Sequence, residues 1–445
     1  MSTTEKQNLW YVSNFEALER SLNGEAASYV HALRKAAFDK LSQTGFPTTK
    51  DEEWKYTDVS SLAKTAFKPI LSPKKPSLAI EPYLLGHPEW NRLVFVNGHF
   101  LMELSDLRSL PKSVIMGSLA EAMKSHPKLI EEYLTACSRY EQNAFTALNT
   151  AFIQDGAFVY VPKGTIIEQP LHLLFISSLE EGEFVSHPRN VIIVGESSQV
   201  AILESYVSPR EHLSYFTNAV TEISVGENAV VEYDKFQNES MAAYHIASTY
   251  VRQQRNSNYA SNLVTFGAKL SRNNVFAVLD GEGIECTLNG LYLGTANQHI
   301  DNHTTIDHAK PHCNSFEVYK GILDGKSKGV FNGKIIVRKD AQKTDAKQTN
   351  KNLVLSDEAS IDTKPQLEIF ANDVKCTHGA TIGQLDREAI FYLQSRGLSK
   401  EDARDMLIHA FAKDLIDRIK SEGVRTNLEQ LIYERLRAGR VNTRT

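Results

Sequence analysis

Between residues 151 and 386 the chain has almost no helical periodicity and strings together short runs rich in Val, Ile, Phe and Tyr, punctuated by Gly, Asn and Asp. Such runs favour strands, because β-branched and aromatic side chains fit a pleated surface, and the punctuating residues suit turns. A turn-then-strand phrase recurs: VGESSQVAI from Val194, VGENAVVEY from Val225, LDGEGIECT from Leu279 and LSDEASIDT from Leu355. The spacing is irregular, but the grammar repeats. Repetition of this kind suits a solenoid whose coils each contribute short strands. A β-sandwich of many short strands fits the same pattern. The pattern alone leaves both open, and both make the chain mainly β.

Helical patterns flank this core. Phe15, Leu18 and Leu22 in NFEALERSLNG, and Leu129, Ile130, Tyr133 and Leu134 in PKLIEEYL, recur at helical spacing. From Arg387 onward the pattern is helical again. Ser399 can cap a helix with Asp402 three residues on, the spacing of a capping box. Ala403, Met406, Leu407, Ala410, Phe411, Leu415 and Ile419 then read as one apolar stripe. A second amphipathic piece, NLEQLIYERLRAGR, follows. Three regions are expected: a mainly helical N-terminal domain (1–150), a β core (151–386) and a helical C-terminal domain (387–445).

Composition narrows the function classes. A chain of 445 residues can bury a sizeable core in two or three structural units. Its formal charge of -5 and the lack of a basic run disfavour nucleic acid and anionic membrane surfaces. No segment approaches the roughly 18 uninterrupted apolar residues of a membrane span. The N-terminal residues lack the basic start and apolar stretch of a secretory signal. The four cysteines, Cys137, Cys286, Cys313 and Cys376, are too few and scattered for a disulfide framework. These features predict a cytoplasmic protein with reduced thiols.

The chemistry rests on few residues. Cys376 and His378 are two apart, so on a strand both side chains share a face with Val374, opposite Asp373, Lys375 and Thr377. The shared face is expected to be the inward one. A thiol and an imidazole so placed can ligate a soft metal, carry sulfur as a persulfide or exchange a proton. In an arbitrary chain the ordinary reading is a buried free thiol beside a hydrogen-bonded imidazole. A closed zinc or iron-sulfur site wants four protein ligands, and this motif offers two. His299, His303, His308, His312 and Cys313 form a second cluster. Their four-residue spacings would align ligands on a helix, but HIDNHTTIDH is broken by Asp and Asn and rich in Thr and Ile. They read as polar rungs and turns, with imidazoles satisfied by neighbouring backbone. Cys286 reads as a packed thiol, and Cys137, in LTACSRY, as a structural residue on a helix. GILDGKSKG, from Gly321, has one residue too few for a phosphate-binding loop and precedes a strand-like run, so it is a turn. No hydrolase elbow, paired HExxH or dinucleotide fingerprint appears.

Several ordered phrases, DNHTTIDH, GVFNGKIIV, KTDAKQTNKNLVLS and VKCTHGATIGQLD, resemble the core of the SufB/SufD family of iron-sulfur cluster assembly scaffolds. GFPTTKDEEWKYTDVS, from Gly45 to Ser60, and HGAT after the cysteine are similar to the SufD branch in particular. Within that segment Trp54 and Tyr56 are expected to anchor a helix end to the core. The resemblance implies a right-handed parallel β-helix and a non-catalytic subunit joining SufB and the ATPase SufC. It implies that Cys376 and His378 lie at the interface with SufB, where a transient iron-sulfur cluster forms with further ligands from SufB. It also associates the family complex with reduced flavin, for which no residue here marks a site. YLQSRGLSKEDARDMLIHAF resembles the segment that docks SufC, which makes Ser399, Met406, Leu407 and Phe411 candidate partner-binding residues. Without SufB the chain is expected to be able to pair with itself as a homodimer. Two other readings are a polysaccharide-acting β-helix enzyme, which should show a secretion signal and an exposed catalytic cluster, and a purely structural scaffold with an inert Cys376 and His378.

Overall fold

The computed structural model describes residues 10–22, 28–71, 78–108, 110–179 and 182–441. Its core is a parallel β-solenoid of about 8 turns, each giving one strand to each of two facing sheets. One sheet runs from Ala157–Val161 through Tyr215–Val225, Leu270–Leu279, His299–His308 and Lys328–Val337 to Ser360–Ile369; the other runs from Leu171–Ile176 through Val230–Asn238, Glu285–Gly294, Asn314–Leu323 and Asp345–Val354 to Lys375–Gly383. Neighbouring strands within each sheet belong to successive coils and pair in parallel, as where Ile300 lies beside Gly329 and Gly329 beside Ile361. Parallel pairing throughout the core excludes the sandwich, which is antiparallel.

Alternation along each strand separates a lumen face from an outer face. In His299–His308, Ile300 and Ile306 join the central apolar cluster of the lumen, whereas His299 and His303 meet the N-terminal region outside. The turns explain the repeated Gly, Asn and Ser. Two residues before the strands that begin at Gln199, Val230, Asn258, Asn314 and Asp345 stand Ser197, Asn228, Asn256, His312 and Lys343, all with φ between 53 and 62. Their amides bond to the turn of the following coil, as from Asn228 to Arg255 (2.9 Å) and from His312 to Gln342 (2.9 Å). Gly283 takes this position before Glu285 with φ 70, where a Cβ would lie 2.5 Å from Asn256 Oδ1, so a larger residue would have to displace that side chain.

Outside the solenoid, the helices Trp10–Ser21, Tyr29–Thr44 and Ala144–Ala151 bury Phe15, Leu41 and Phe145 in one cluster with Phe216, Tyr244 and Leu270 of the first sheet. Two strands from the N-terminal part extend the sheets: Arg92–Val96 pairs in parallel with Leu171–Ile176, and Ile115–Ser118 pairs antiparallel to Ala157–Val161. The first coil is therefore covered. Cys137 lies beyond the helix Pro127–Tyr133, not within one as its sequence suggested. The reason is Glu222, whose carboxylate accepts the amides of Thr135, Cys137 and Ser138 and pairs with the buried Arg189, holding the chain in a turn.

Of the C-terminal helices Arg387–Ser395, Lys400–Ile416 and Glu422–Val441, the last two cover the outer face of the second sheet, and the first packs beside Lys400–Ile416 with no residue buried. Ser399 caps the second of them, its hydroxyl accepting the Asp402 amide at 3.0 Å. The apolar face turned to the sheet comprises Ile408, Ala412, Leu415, Ile416 and Ile419, packed with Leu203, Phe236, Leu291 and Ile322. This corrects the single stripe read from sequence. Met406 and Ala410 lie on the other side of the helix and are exposed, and Leu407 is half-buried. The helix carries two apolar faces, because its residues advance roughly 100° each and 406, 407 and 410 fall opposite 408, 412 and 416.

Candidate functional site

At its C-terminal end the solenoid is open. Ser360–Ile369 and Lys375–Gly383 end the two sheets, and among the described residues no strand pairs beyond them. Ile369, Phe370 and Ile382 are exposed there. Exposed strand edges and apolar side chains together mark a surface suited to pairing with another chain.

Cys376 and His378 stand on that final strand. Cys376 is in register with Ala346, and His378 with Gln348. Ala346 and Gln348 are buried on the lumen side, so the expected inward face is the observed one. Cys376 packs with Ala346, Ile335 and Val337 and is half-buried, and His378 is exposed at the rim. Burial pushes the Cys376 thiol upward, with the nearby Asp345 adding to the shift, so the isolated chain holds it as a neutral thiol at neutral pH. Among the described residues no group of three or more His, Cys, Asp or Glu side chains is placed to hold a metal ion. The mouth therefore presents one thiol and one imidazole, fewer donors than a closed metal site needs.

The second cluster is dispersed by the strand. His299 and His303 face outward, His308 faces the lumen, and His312 and Cys313 lie at the next turn. Their partners are mostly side chains, not the backbone expected from sequence. Thr57 Oγ1 lies 2.8 Å from His299 Nε2 and donates to Asp301 Oδ2 at 2.6 Å. Asp301 also meets Arg272 at 3.0 Å and His303 at 3.0 Å, and His303 reaches Glu53 at 3.3 Å. The hydrogen bond from His303 is the main reason that Glu53 is held down at about 2. His308 Nε2 contacts Ser315 Oγ at 2.9 Å, and burial pushes this imidazole down to about 4.

These contacts make the outward histidines a seat for the segment Gly45–Ser60. Trp54 is buried there, with the Arg272 guanidinium 3.7 Å from its ring centre and Phe145 at 5.2 Å. Lys328 donates to the Tyr56 carbonyl, Lys334 pairs with Glu53, and Lys364 on the last strand of this sheet pairs with Glu52. The segment thus straps the N-terminal region to the coils nearest the mouth.

Of the candidate partner residues, Met406 is 56% exposed; Phe391 (73%) and Tyr392 (57%) on the preceding helix and Leu398 in the turn between the two are exposed as well. Ser399 is occupied as a cap. Phe411 is turned toward the solenoid, with Lys320 4.7 Å from its ring centre and also bonded to its carbonyl. Sequence reasoning passed over Phe391, and Tyr392 entered only as the first residue of the phrase YLQSRGLSKEDARDMLIHAF. It also passed over Glu317 and Gln348 in the lumen, although alternation in SFEVYKGIL already placed Glu317 on the same face as Ser315 and Tyr319.

The chain matches two family models: "SUF system FeS cluster assembly, SufBD core domain" over residues 175–411 and "SufBD protein N-terminal region" over residues 5–173. It is 36% identical over 418 residues to an iron-sulfur cluster assembly SufBD family protein of Synechocystis, covering 92% of both chains. It is 34% identical over 406 residues to the iron-sulfur cluster assembly protein SufD of Escherichia coli, covering 90% of this chain and 92% of that one. To the chloroplastic protein ABCI7 of Arabidopsis thaliana it is 31% identical over 420 residues, covering 92% and 87%. With a solenoid core matching the first model and an N-terminal region matching the second, the chain belongs to the SufBD family of iron-sulfur cluster assembly proteins.

Proposed function

We propose that the chain is a non-catalytic scaffold subunit that pairs through the open end of its solenoid with a SufB partner and docks the ATPase SufC on its C-terminal helices. The observation that carries this reading is the mouth: two soft donors on the last strand, beside unpaired sheet edges, without the remaining ligands of a closed site. In this reading the nascent cluster is cargo, and SufB supplies the missing ligands. Cys376 would bind as a thiolate, so its raised affinity for the proton keeps it inert until iron or sulfur arrives. His378, at the rim, is the donor a partner strand would meet first. Without SufB, the same edge suits pairing with a second copy. The exposed Phe391, Tyr392 and Met406 offer SufC apolar side chains on two adjoining helices, of which Lys400–Ile416 is packed on the second sheet, so movement there would reach the solenoid.

A purely structural scaffold is the second reading, favoured by the neutral, half-buried thiol. Co-expression with SufB and SufC, purification through this chain and anaerobic reconstitution separates the two. Iron and acid-labile sulfide should fall several-fold in the His378→Ala and Cys376→Ser complexes while the subunits still co-purify. Normal reconstitution in both variants would leave the pair a structural feature only.

A further inference from the structure

Behind the mouth, a group of polar side chains interrupts the apolar filling of the lumen. Asn302 and Thr304 project into it from His299–His308, Glu317 from Asn314–Leu323 and Gln348 from Asp345–Val354. All four are nearly sealed from outside solvent, at 1%, 2%, 1% and 2% exposure. Gln348 Nε2 donates to Glu317 Oε2 at 2.6 Å. It can do so because Gly333 on the opposite sheet leaves a notch: a Cβ there would lie 2.1 Å from Gln348 Nε2.

Several of the remaining polar atoms have no protein partner. Both amide atoms of Asn302, Gln348 Oε1 and, one coil further in, Asn273 Oδ1 are buried and unpaired, while Thr304 bonds to the Glu317 carboxyl. Buried polar groups left without hydrogen bonds are strongly disfavoured, and a run of them on facing strands is rarer still. Donors and acceptors are both present, and no charged group other than Glu317 belongs to the set. Such a lining fits a small neutral species able both to donate and to accept.

We propose that this part of the lumen is a binding site for a chain of ordered water molecules, held between Asn302 and Thr304 on one sheet and Glu317 and Gln348 on the other. Buried waters of this kind make about three hydrogen bonds each to otherwise unsatisfied groups. The chain of polar groups runs toward the mouth, since Gln348 is in register with His378 and Glu317 with Gln348. Two strand spacings, about 10 Å, separate Glu317 from His378. Burial pushes the Glu317 carboxyl up to about 7, against the hydrogen bonds of Thr304 and Gln348, so it holds and releases a proton near neutrality. The waters give that proton a way in and out when a second chain covers the mouth. The hydration itself is independent of whether Cys376 and His378 handle iron.

Oxygen-17 magnetic relaxation dispersion on the full-length protein counts long-lived internal water directly. Asn302→Leu should remove part of the dispersion amplitude of the wild type, and Thr304→Val, which keeps the shape of the side chain, should remove a smaller part. Should Asn302→Leu fail to fold, Thr304→Val decides alone. Unchanged amplitude in the folded variants would overturn the proposal and leave a dry lumen.

Discussion

Trp54 shows how one side chain can determine where a whole region sits. Its ring lies against both Arg272 and Phe145, so it touches both the solenoid and the N-terminal helices. Arg272 is buried and bonded to Asp301 and to the Glu53 carbonyl, and Asp301 is bonded to Thr57. Removal of the indole leaves a cavity beside a buried cation that has lost its aromatic cover. Trp54→Ala should therefore lower the unfolding free energy by about 3–5 kcal/mol, the range for a buried Trp or Phe. Trp54→Phe should recover much of that loss, because a ring still packs against Arg272 and Phe145. Denaturant unfolding of the three proteins checks the order.

At the level of elements, the helix Lys400–Ile416 divides its residues between two tasks. Ser399 caps it, and Ser399→Ala should lower stability by roughly 1 kcal/mol through loss of the bond to the Asp402 amide. Met406→Lys should leave stability within about 0.5 kcal/mol, because the side chain is exposed, yet weaken co-purification of SufC. Thermal unfolding and a pull-down of the two variants distinguish cap from contact. The cap was legible in the sequence because it depends on residues three apart. The strands, the turns and the shared face of Cys376 and His378 were legible for the same reason: each is a local rule of period two or of left-handed backbone. The second apolar face of this helix was not, because an apolar residue at helical spacing looks alike whether it meets the sheet or solvent. Nor were the partners of His299, since Thr57 lies 242 residues away in the chain.

For the whole molecule, the buried acid of the lumen ties stability to pH in a direction opposite to that of an ordinary surface carboxylate. Glu317 is raised from 4.5 to about 7 in the folded protein, chiefly by burial. Between those values the native state keeps a proton that the unfolded chain has released, so stability falls as pH rises from 4.5 to 7 and levels off above. The full effect is on the order of 3 kcal/mol, taking 1.36 kcal/mol per unit. The buried imidazole of His308 works the other way, losing stability as pH falls from 6.5 toward about 4, and the buried carboxyl of Asp234 is raised to about 7 as well. Wild type alone would thus show a blend of these with other buried groups, among them His172 and His187, both pushed down to about 3 by burial. The comparison with Glu317→Gln isolates one, because the other groups are common to both proteins. The variant should gain on the wild type steadily from pH 4.5 to 7 and hold a constant margin beyond. A margin independent of pH would mean that Glu317 carries its charge in the native lumen throughout.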